Sequence, residues 1–243
     1  MKSLSPFLIL LLVWTFAARA LGQGNNPDAE LGRFVTLKQG NGGEFRAFVA
    51  GPPDAKAAVL FVHDYFGISD ATQQSVKHLG TLGYRSLAVD LYGGKSATNR
   101  EEAVKLMQSL DRKATDKILQ DGLDYLKQPG RMVATMGFGM GAQESLIANL
   151  NDPEAVSATV MIYGFGFDKI DTKRLERLKG PVLVIAGGED IGATQAAINF
   201  LSTMKEAKRA YEMLIYPGAD HGYAQPLFNE GKNYGSIAQF VGK

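Results

Sequence analysis

The sequence contains no cysteine among its 243 residues, which excludes disulfides, thiolate–zinc sites and a cysteine nucleophile. It also has no excess of charge of one sign, with 26 basic against 25 acidic side chains. This balance gives no reason to expect binding to nucleic acid or to an acidic membrane surface. After the first twenty residues, the chain has no apolar run long enough to span a bilayer.

The first twenty residues have the features of a secretory signal peptide. Lys2 gives a positive start, Phe7–Ala18 is an apolar run of twelve residues, and Ala18–Ala20 fits the small-x-small cleavage pattern. We therefore predict cleavage after Ala20, export to the periplasm or the medium, and no membrane association after cleavage. An uncleaved membrane anchor is the alternative, although twelve residues are few for a bilayer span.

The rest of the chain is predicted to contain a loose polar arm over residues 21–30 and one α/β domain over residues 31–243. Phe34–Lys38 and Glu44–Ala50 alternate apolar and polar residues on either side of two glycines, which predicts an antiparallel hairpin. Strand and helix patterns then alternate, which predicts a mainly parallel sheet with helices on both faces. In such sheets, ligands bind beyond the carboxyl ends of the strands.

The predicted elements follow from apolar runs, caps and glycine or proline stops. The predicted strands are Ala57–His63, Arg85–Tyr92, a strand from Met132 to the glycine turn, Ser157–Tyr163, Pro181–Ala186 and Tyr211–Tyr216. The predicted helices run from Ser69 or Asp70 to about Leu82, then over Arg100–Leu110, Lys113–Lys127, from the glycine turn to about Leu150, Asp171–Leu178, Ala193–Ala207 and Lys232–Val241.

Residues 132–150 form an apolar strand, a glycine-rich turn and a helix, which is the pattern of a nucleophile elbow. In an elbow, the attacking residue stands at the centre of a turn whose flanking positions are small. Here Gly139 is central, with Gly137 and Gly141 beside it, and glycine has no side chain that can attack. The alternative is a relaxed turn without chemistry, because glycine adopts unusual backbone angles at no steric cost.

Asp190 and His221 come later, in the chain order that acid and base have after an elbow. His221 lies among small residues after a predicted strand, and neutral imidazole is the usual general base near pH 7. The carboxylate of Asp190 could fix the imidazole tautomer, and the adjacent Glu189 could take this role instead. The alternatives without catalysis are a surface histidine and a helix N-cap before Ala193.

The loop from His63 to Gly67 follows a buried strand and has the position that supplies one amide of an oxyanion hole. By position, the two donors are the backbone N–H groups of Tyr65 and Met140. Backbone donors persist whatever side chain the central residue has. Asp64 is predicted to line the same pocket as a charge, and the alternative is a solvated loop carboxylate.

Two further interpretations of the elbow segment have weaker support. Ser145 is the nearest hydroxyl downstream, but it lies within the predicted helix and is a poor substitute nucleophile. The motif Gly137-x-Gly139-x-x-Ala142 also satisfies the dinucleotide-binding fingerprint. However, the motif lies in the middle of the chain, and the next strand ends at Tyr163 without the acidic residue that would hold a ribose.

The sequence resembles the dienelactone hydrolase family over nearly all of its length after residue 20. The resemblance rests on five segments: HDYFGIS at 63–69, VDLYGG at 89–94, GFGMGA at 137–142, GGED at 187–190 and YPGADHGYAQP at 216–226. It implies an α/β-hydrolase fold and a triad of cysteine, aspartate and histidine. Its members hydrolyse lactones and small carboxylic esters without a cofactor, so neither a cofactor nor a metal is expected.

The resemblance assigns Asp190 and His221 to the acid and the base, and it places Gly139 where the family has its cysteine. Asp64 stands where the family usually has a glutamate that holds the resting cysteine. This sequence has no thiol for Asp64 to hold.

The family's dienelactone-binding enzymes grip the substrate carboxylate with two arginines, which align here with Gly94 and Gln225. Lys95 is a partial replacement for the first arginine. Tyr92, Lys95 and Gln225 are therefore predicted to line the pocket together with Asp64. The absence of both arginines argues against dienelactone itself as the substrate.

Three functions are consistent with the sequence. The first is a weak hydrolase of small esters or lactones, in which His221 and Asp190 activate a water. The second is a pseudoenzyme that binds a small ester, lactone or carboxylic acid without turnover. The third is an ordinary family hydrolase whose recorded sequence differs at the codon of Gly139.

Overall fold

A computed structural model describes residues 32–40, 42–166 and 170–222. The predicted signal peptide and arm, the pocket residue Gln225 and the helix Lys232–Val241 lie outside these ranges. Within them, no helix is both long enough and apolar enough to cross a membrane.

The centre of the fold is an eight-stranded sheet with the spatial order β1-β2-β4-β3-β5-β6-β7-β8. Its strands are β1 Arg33–Lys38, β2 Glu44–Ala50, β3 Ala57–Val62, β4 Arg85–Val89, β5 Met132–Phe138, β6 Ala158–Ile162, β7 Val182–Gly187 and β8 Tyr211–Tyr216. β2 pairs antiparallel with β1 and β4, and the other neighbouring strands are parallel. The predicted hairpin and the mainly parallel sheet are therefore confirmed.

Helices cover both faces of this sheet. In the described ranges they are α1 Asp70–Thr81, α2 Arg100–Gln108, α3 Arg112–Leu126, α4 Met140–Asn151, α5 Thr172–Leu175 and α6 Ile191–Glu206. The residue that caps α1 is Ser69, whose Oγ accepts the N–H of Thr72 at 3.3 Å. This geometry decides between Ser69 and Asp70 as the start of the helix.

The apolar core has two layers because strand side chains alternate between the two faces. Leu60 and Leu87 are buried in the layer that also contains the α3 residue Leu123. The neighbouring residue Phe61 is buried in the opposite layer, against Val76 of α1. These strands are buried on both faces, as their continuous apolar runs predict.

Several predicted elements end earlier than expected. β3 stops at Val62 and not at His63, and α5 covers Thr172–Leu175 and not residues 171–178. β4 stops at Val89 and not at Tyr92, because the carboxylate of Asp90 accepts the N–H groups of Tyr92 and Gly94 at 2.9 and 2.8 Å and turns the chain. The residues after Asp90 are apolar, so the sequence pattern predicts that the strand continues through this turn.

Candidate active site

The turn between β5 and α4 has unusual backbone angles at its centre. Gly139 has φ of +54° and ψ of −116°, a conformation that side-chain-bearing residues rarely adopt. Its N–H donates to the carbonyl oxygen of Ile162 at 3.0 Å, which ties the turn to the end of β6. The turn therefore has the backbone geometry of an elbow, which glycine adopts without strain.

The glycines on either side of Gly139 are required by close backbone packing. A Cβ on Gly137 would lie 2.1 Å from the carbonyl oxygen of Gly141, and a Cβ on Gly141 would lie 2.1 Å from that of Val62. Both separations are far below van der Waals contact. The small residues of the elbow pattern therefore allow β5, α4 and β3 to pack together at this turn.

At Gly139 itself there is room for a side chain. The nearest atoms to a Cβ built there are Cε2 of Tyr163 at 3.6 Å and Cβ of Asp64 at 3.9 Å, which are ordinary contact distances. We call this space beside the Gly139 α-carbon, bounded by Tyr163 and Asp64, the Gly139 notch.

Asp190 and His221 form a hydrogen-bonded pair. Nδ1 of His221 lies 2.6 Å from Oδ2 of Asp190, which accepts its proton in the tautomer that leaves Nε2 as a proton acceptor. The other carboxylate oxygen, Oδ1, accepts the N–H of Ala193 at 3.2 Å and caps α6. Asp190 thus is both the hydrogen-bond partner of His221 and the N-cap of α6, the two roles that the sequence analysis considered. Glu189 is exposed.

Backbone hydrogen bonds and one glycine explain how the loops of Asp190 and His221 meet. The N–H of Gly188 donates to the carbonyl of Tyr216 at 2.9 Å, and the N–H of Glu189 donates to that of Ala219 at 2.8 Å. A Cβ on Gly187 would lie 2.5 Å from the Ala219 oxygen. The loop after β7 can therefore lie against the loop after β8 only because this position has no side chain.

The predicted oxyanion loop is fixed by a buried histidine that the sequence analysis did not assign. Nε2 of His63 accepts the N–H of Leu91 at 3.1 Å, so Nδ1 carries the proton that it donates to the Asp64 carbonyl at 2.6 Å. Burial lowers the pKa of His63, which keeps the ring neutral. These bonds orient the peptide whose N–H belongs to Tyr65. Met140, the first residue of α4, contributes the other predicted donor, and its N–H has no acceptor within the helix.

Asp64 is a buried carboxylate beside the notch. Its Oδ1 accepts the N–H of Phe66 at 2.8 Å. Burial raises the pKa of Asp64 from 3.8 to about 6, and the Phe66 hydrogen bond opposes this shift only in part.

These groups surround one cavity of about 720 Å³. Its lining contains Asp64, Tyr65, Arg100, Val104, Met107, Gly139, Met140, Gln143, Tyr163, Phe165, His221 and Gly222. The volume is within the range of small-molecule sites, and the walls are mainly apolar side chains. The structure therefore brings Asp64, Tyr65, Gly139, Met140 and His221 to one place, as the sequence predicts.

Several lining residues were missed by the sequence analysis. Arg100, Val104 and Met107 come from one side of α2, and their spacing of four and three residues is the available signal. Tyr163 and Phe165 follow β6, and their rings lie 5.3 and 5.1 Å from the imidazole of His221.

Other predicted site residues lie away from the lining. The hydroxyl of Tyr92 is behind the oxyanion loop and donates to the Tyr65 carbonyl at 3.3 Å. Lys95 follows β4 and is not among the cavity-lining residues. Arg100 lines the cavity instead and is the cation placed to take the role expected of Lys95, contact with a substrate carboxylate. Ser145 is buried and donates to the Ala142 carbonyl at 2.8 Å. In the described ranges, no cluster of acidic and histidine side chains is arranged to hold a metal ion.

Known proteins are similar to this chain in sequence and in fold. A protein of Saccharolobus solfataricus named "Putative carboxymethylenebutenolidase" is 24% identical over 239 residues, covering 82% of this chain and 90% of its own. The crystal structure of dienelactone hydrolase from Anabaena variabilis matches with a TM-score of 0.66 at 24% identity, covering 87% of this chain and 94% of that one. A dienelactone hydrolase-like promiscuous phosphotriesterase from metagenomic libraries matches with a TM-score of 0.72 at 19% identity, covering 87% and 95%.

The sequence profile of the Dienelactone hydrolase family matches residues 45–238, which is most of the chain. This match extends from β2 beyond the loop that holds His221. The chain therefore belongs to the dienelactone hydrolase family of α/β-hydrolases.

Proposed function

We propose that this protein hydrolyses small carboxylic esters or lactones slowly, with a water in the Gly139 notch replacing the nucleophilic side chain. The observation that supports this proposal is the shared cavity. His221, which is hydrogen-bonded to Asp190, borders this cavity together with Gly139 and with Tyr65 and Met140, the two residues proposed to supply the oxyanion amides. The site has the groups of a hydrolase except for the atom that attacks.

The reaction follows from the roles of these groups. Nε2 of His221 takes a proton from the water, and the water oxygen attacks the carbonyl carbon of the ester. The N–H groups of Tyr65 and Met140 stabilise the negative charge on the carbonyl oxygen. When the intermediate collapses, the C–O bond to the alcohol breaks, and the alcohol takes the proton back from His221. The products are a carboxylic acid and an alcohol, and no acyl-enzyme forms.

We expect this turnover to be slow. Removal of the triad serine from subtilisin lowers turnover by about 10⁶, yet roughly 10³–10⁴ over the reaction in water remains from the other parts of the site. A water in the notch keeps the base and the oxyanion donors but is held less firmly than a covalently attached nucleophile. Rates of this residual order are therefore the expectation here.

The test is hydrolysis of an activated ester such as a nitrophenyl acetate by the purified protein and by His221→Ala. We expect measurable turnover in the first and only the background rate in the second. His78→Ala is the matched control, because His78 is exposed on α1, away from the cavity. Equal rates for the protein and His221→Ala would refute the proposal.

The cavity also supports a second function, in which a small ester, lactone or carboxylic acid binds without turnover. A mainly apolar cavity of about 720 Å³ beside a cation, Arg100, suits such a ligand. Thermal-shift or calorimetric screening with lactones and their hydrolysed acids tests it. Absence of any ligand-induced stabilisation would count against this function.

We also propose that the protein is exported. The signal-like pattern of the first twenty residues supports this. Mass spectrometry of the protein recovered from the periplasm or medium should find a chain that begins at Leu21, and a full-length chain confined to the cell would refute it.

A further inference from the structure

Asp64 is the charged side chain closest to the position where the family nucleophile is missing. Its Cβ lies 3.9 Å from a Cβ built on Gly139, and it borders the same cavity as His221. Its fractional exposure is only 5%. A buried carboxylate is costly unless it is paired or has a function, so its position beside the notch requires an explanation.

In the part of the chain that the structure describes, only one oxygen of this carboxylate accepts a hydrogen bond. Oδ1 accepts the N–H of Phe66 at 2.8 Å, which also shapes the oxyanion loop. Among the described residues, no hydrogen bond or ion pair reaches Oδ2. This oxygen therefore keeps its capacity to accept a proton donor from the cavity.

We propose that Asp64 faces the Gly139 notch and, together with His221, orients the attacking water for hydrolysis. This inference rests on the function proposed above. A water molecule has two protons and two lone pairs. If one proton is held by Nε2 of His221 and the other by Oδ2 of Asp64, a lone pair remains directed at the carbonyl carbon. The proton that leaves during attack goes to His221, so Asp64 acts by orienting the water.

Asp64 is ionised at neutral pH but becomes protonated in mild acid, because burial disfavours its charged form. Burial raises the pKa of Asp64 to about 6, which still leaves the carboxylate ionised above pH 7. The neighbouring groups that can titrate or carry charge are His63 and Tyr92 behind the loop and Arg100 and His221 across the cavity. His63 remains neutral because burial lowers its pKa.

The test compares ester hydrolysis by the wild-type protein and by Asp64→Asn between pH 5 and pH 9. Asparagine keeps the volume and the oxygen that accepts from Phe66, but its NH₂ group donates to the water and occupies the lone pair needed for attack. We expect turnover of Asp64→Asn to be lower by about 10²-fold at pH 8, the usual cost of a misplaced reactant. The ratio of wild-type turnover to Asp64→Asn turnover should fall toward one below pH 6, where Asp64 itself is protonated.

Asp70→Asn is the control, because Asp70 is an exposed carboxylate at the start of α1, and it should behave as the wild type. Equal turnover of the wild type and Asp64→Asn at every pH would overturn the inference while leaving the proposed hydrolysis intact. Equal turnover of wild type and His221→Ala would instead overturn the proposed function.

A second measurement does not depend on turnover. The chain has no cysteine, so Gly139→Cys introduces a single thiol whose alkylation by iodoacetamide can be followed against pH. If Asp64 faces the notch, its negative charge opposes the thiolate, and adding Asp64→Asn should lower the thiol pKa by roughly one. Identical alkylation profiles with and without Asp64→Asn would overturn the inference whether or not the wild type is active.

Discussion

Gly139 has the backbone conformation of a nucleophile elbow, and glycine has no side chain that could attack. Its positive φ costs a glycine nothing, whereas a residue with a side chain would be strained there by about 1–3 kcal/mol. The sequence predicted the elbow from Gly137 and Gly141, whose close contacts with backbone atoms the structure shows. It could not reveal that the notch has room for a side chain, since that depends on Tyr163 and Asp64.

The burial of Asp64 predicts a specific dependence of stability on pH. Its pKa is about 6 in the folded protein and near 3.8 when unfolded, so the folded state binds more protons between these values. The stability linked to the protonated form is therefore fully present below pH 4 and is lost as the pH rises through 6. The expected loss from this one group is about 2–3 kcal/mol.

Asp64→Asn should remove this contribution. Chemical denaturation of both proteins from pH 4 to pH 8 should show Asp64→Asn gaining stability relative to the wild type as the pH rises, with a plateau above pH 7. A difference in unfolding free energy that is constant with pH would show that the pKa of Asp64 is not raised by folding. A variant that is more stable but less active would fit a carboxylate kept for function.

At the scale of elements, the site depends on loops that meet because glycines allow them to. Strand and helix patterns predicted which segments end at the sheet edge, and the chain order of Asp190 and His221 predicted their pairing. The end of β4 was predicted too far along the chain, because the side-chain hydrogen bonds of Asp90 end the strand without changing its apolar pattern. The sequence analysis also missed the residues of α2 that line the cavity. Amphipathic spacing shows that a helix has one packed side but does not show what that side packs against.

Gly187→Ala tests the contact between the loops after β7 and β8. A Cβ at this position would lie 2.5 Å from the Ala219 carbonyl oxygen and should push the His221 loop away from Asp190. We expect ester hydrolysis to fall by about 10²-fold, since small displacements of catalytic groups have effects of this size.

The matched control is Gly188→Ala, whose nearest contacts are at 3.3 Å and require a shift of only a few tenths of an ångström. Its hydrolysis rate should stay within a few-fold of the wild type. Thermal melting of both variants would identify a general loss of folding. Equal rates for Gly187→Ala and the wild type would show that this contact does not set the position of His221.

At the scale of the whole molecule, the sheet topology assembles a site from segments that are up to 158 residues apart, from His63 to His221. The parallel strands β3, β5, β7 and β8 carry these segments on their carboxyl ends, which is why fold class and site location could be predicted together. Distances within the site could not be predicted, because they depend on packing between loops that share no local pattern.

The central claim is that this hydrolase site is complete except for the attacking side chain, and Gly139→Cys tests it most directly. The notch has room for the side chain, and His221 is available to activate the thiol. Gly139→Ala is the control, because it imposes the same backbone strain without a nucleophile. With activated esters and small lactones, we expect Gly139→Cys to exceed the wild type by at least about 10²-fold in turnover and to form an acyl-enzyme. A folded Gly139→Cys protein with no more activity than Gly139→Ala would contradict the claim.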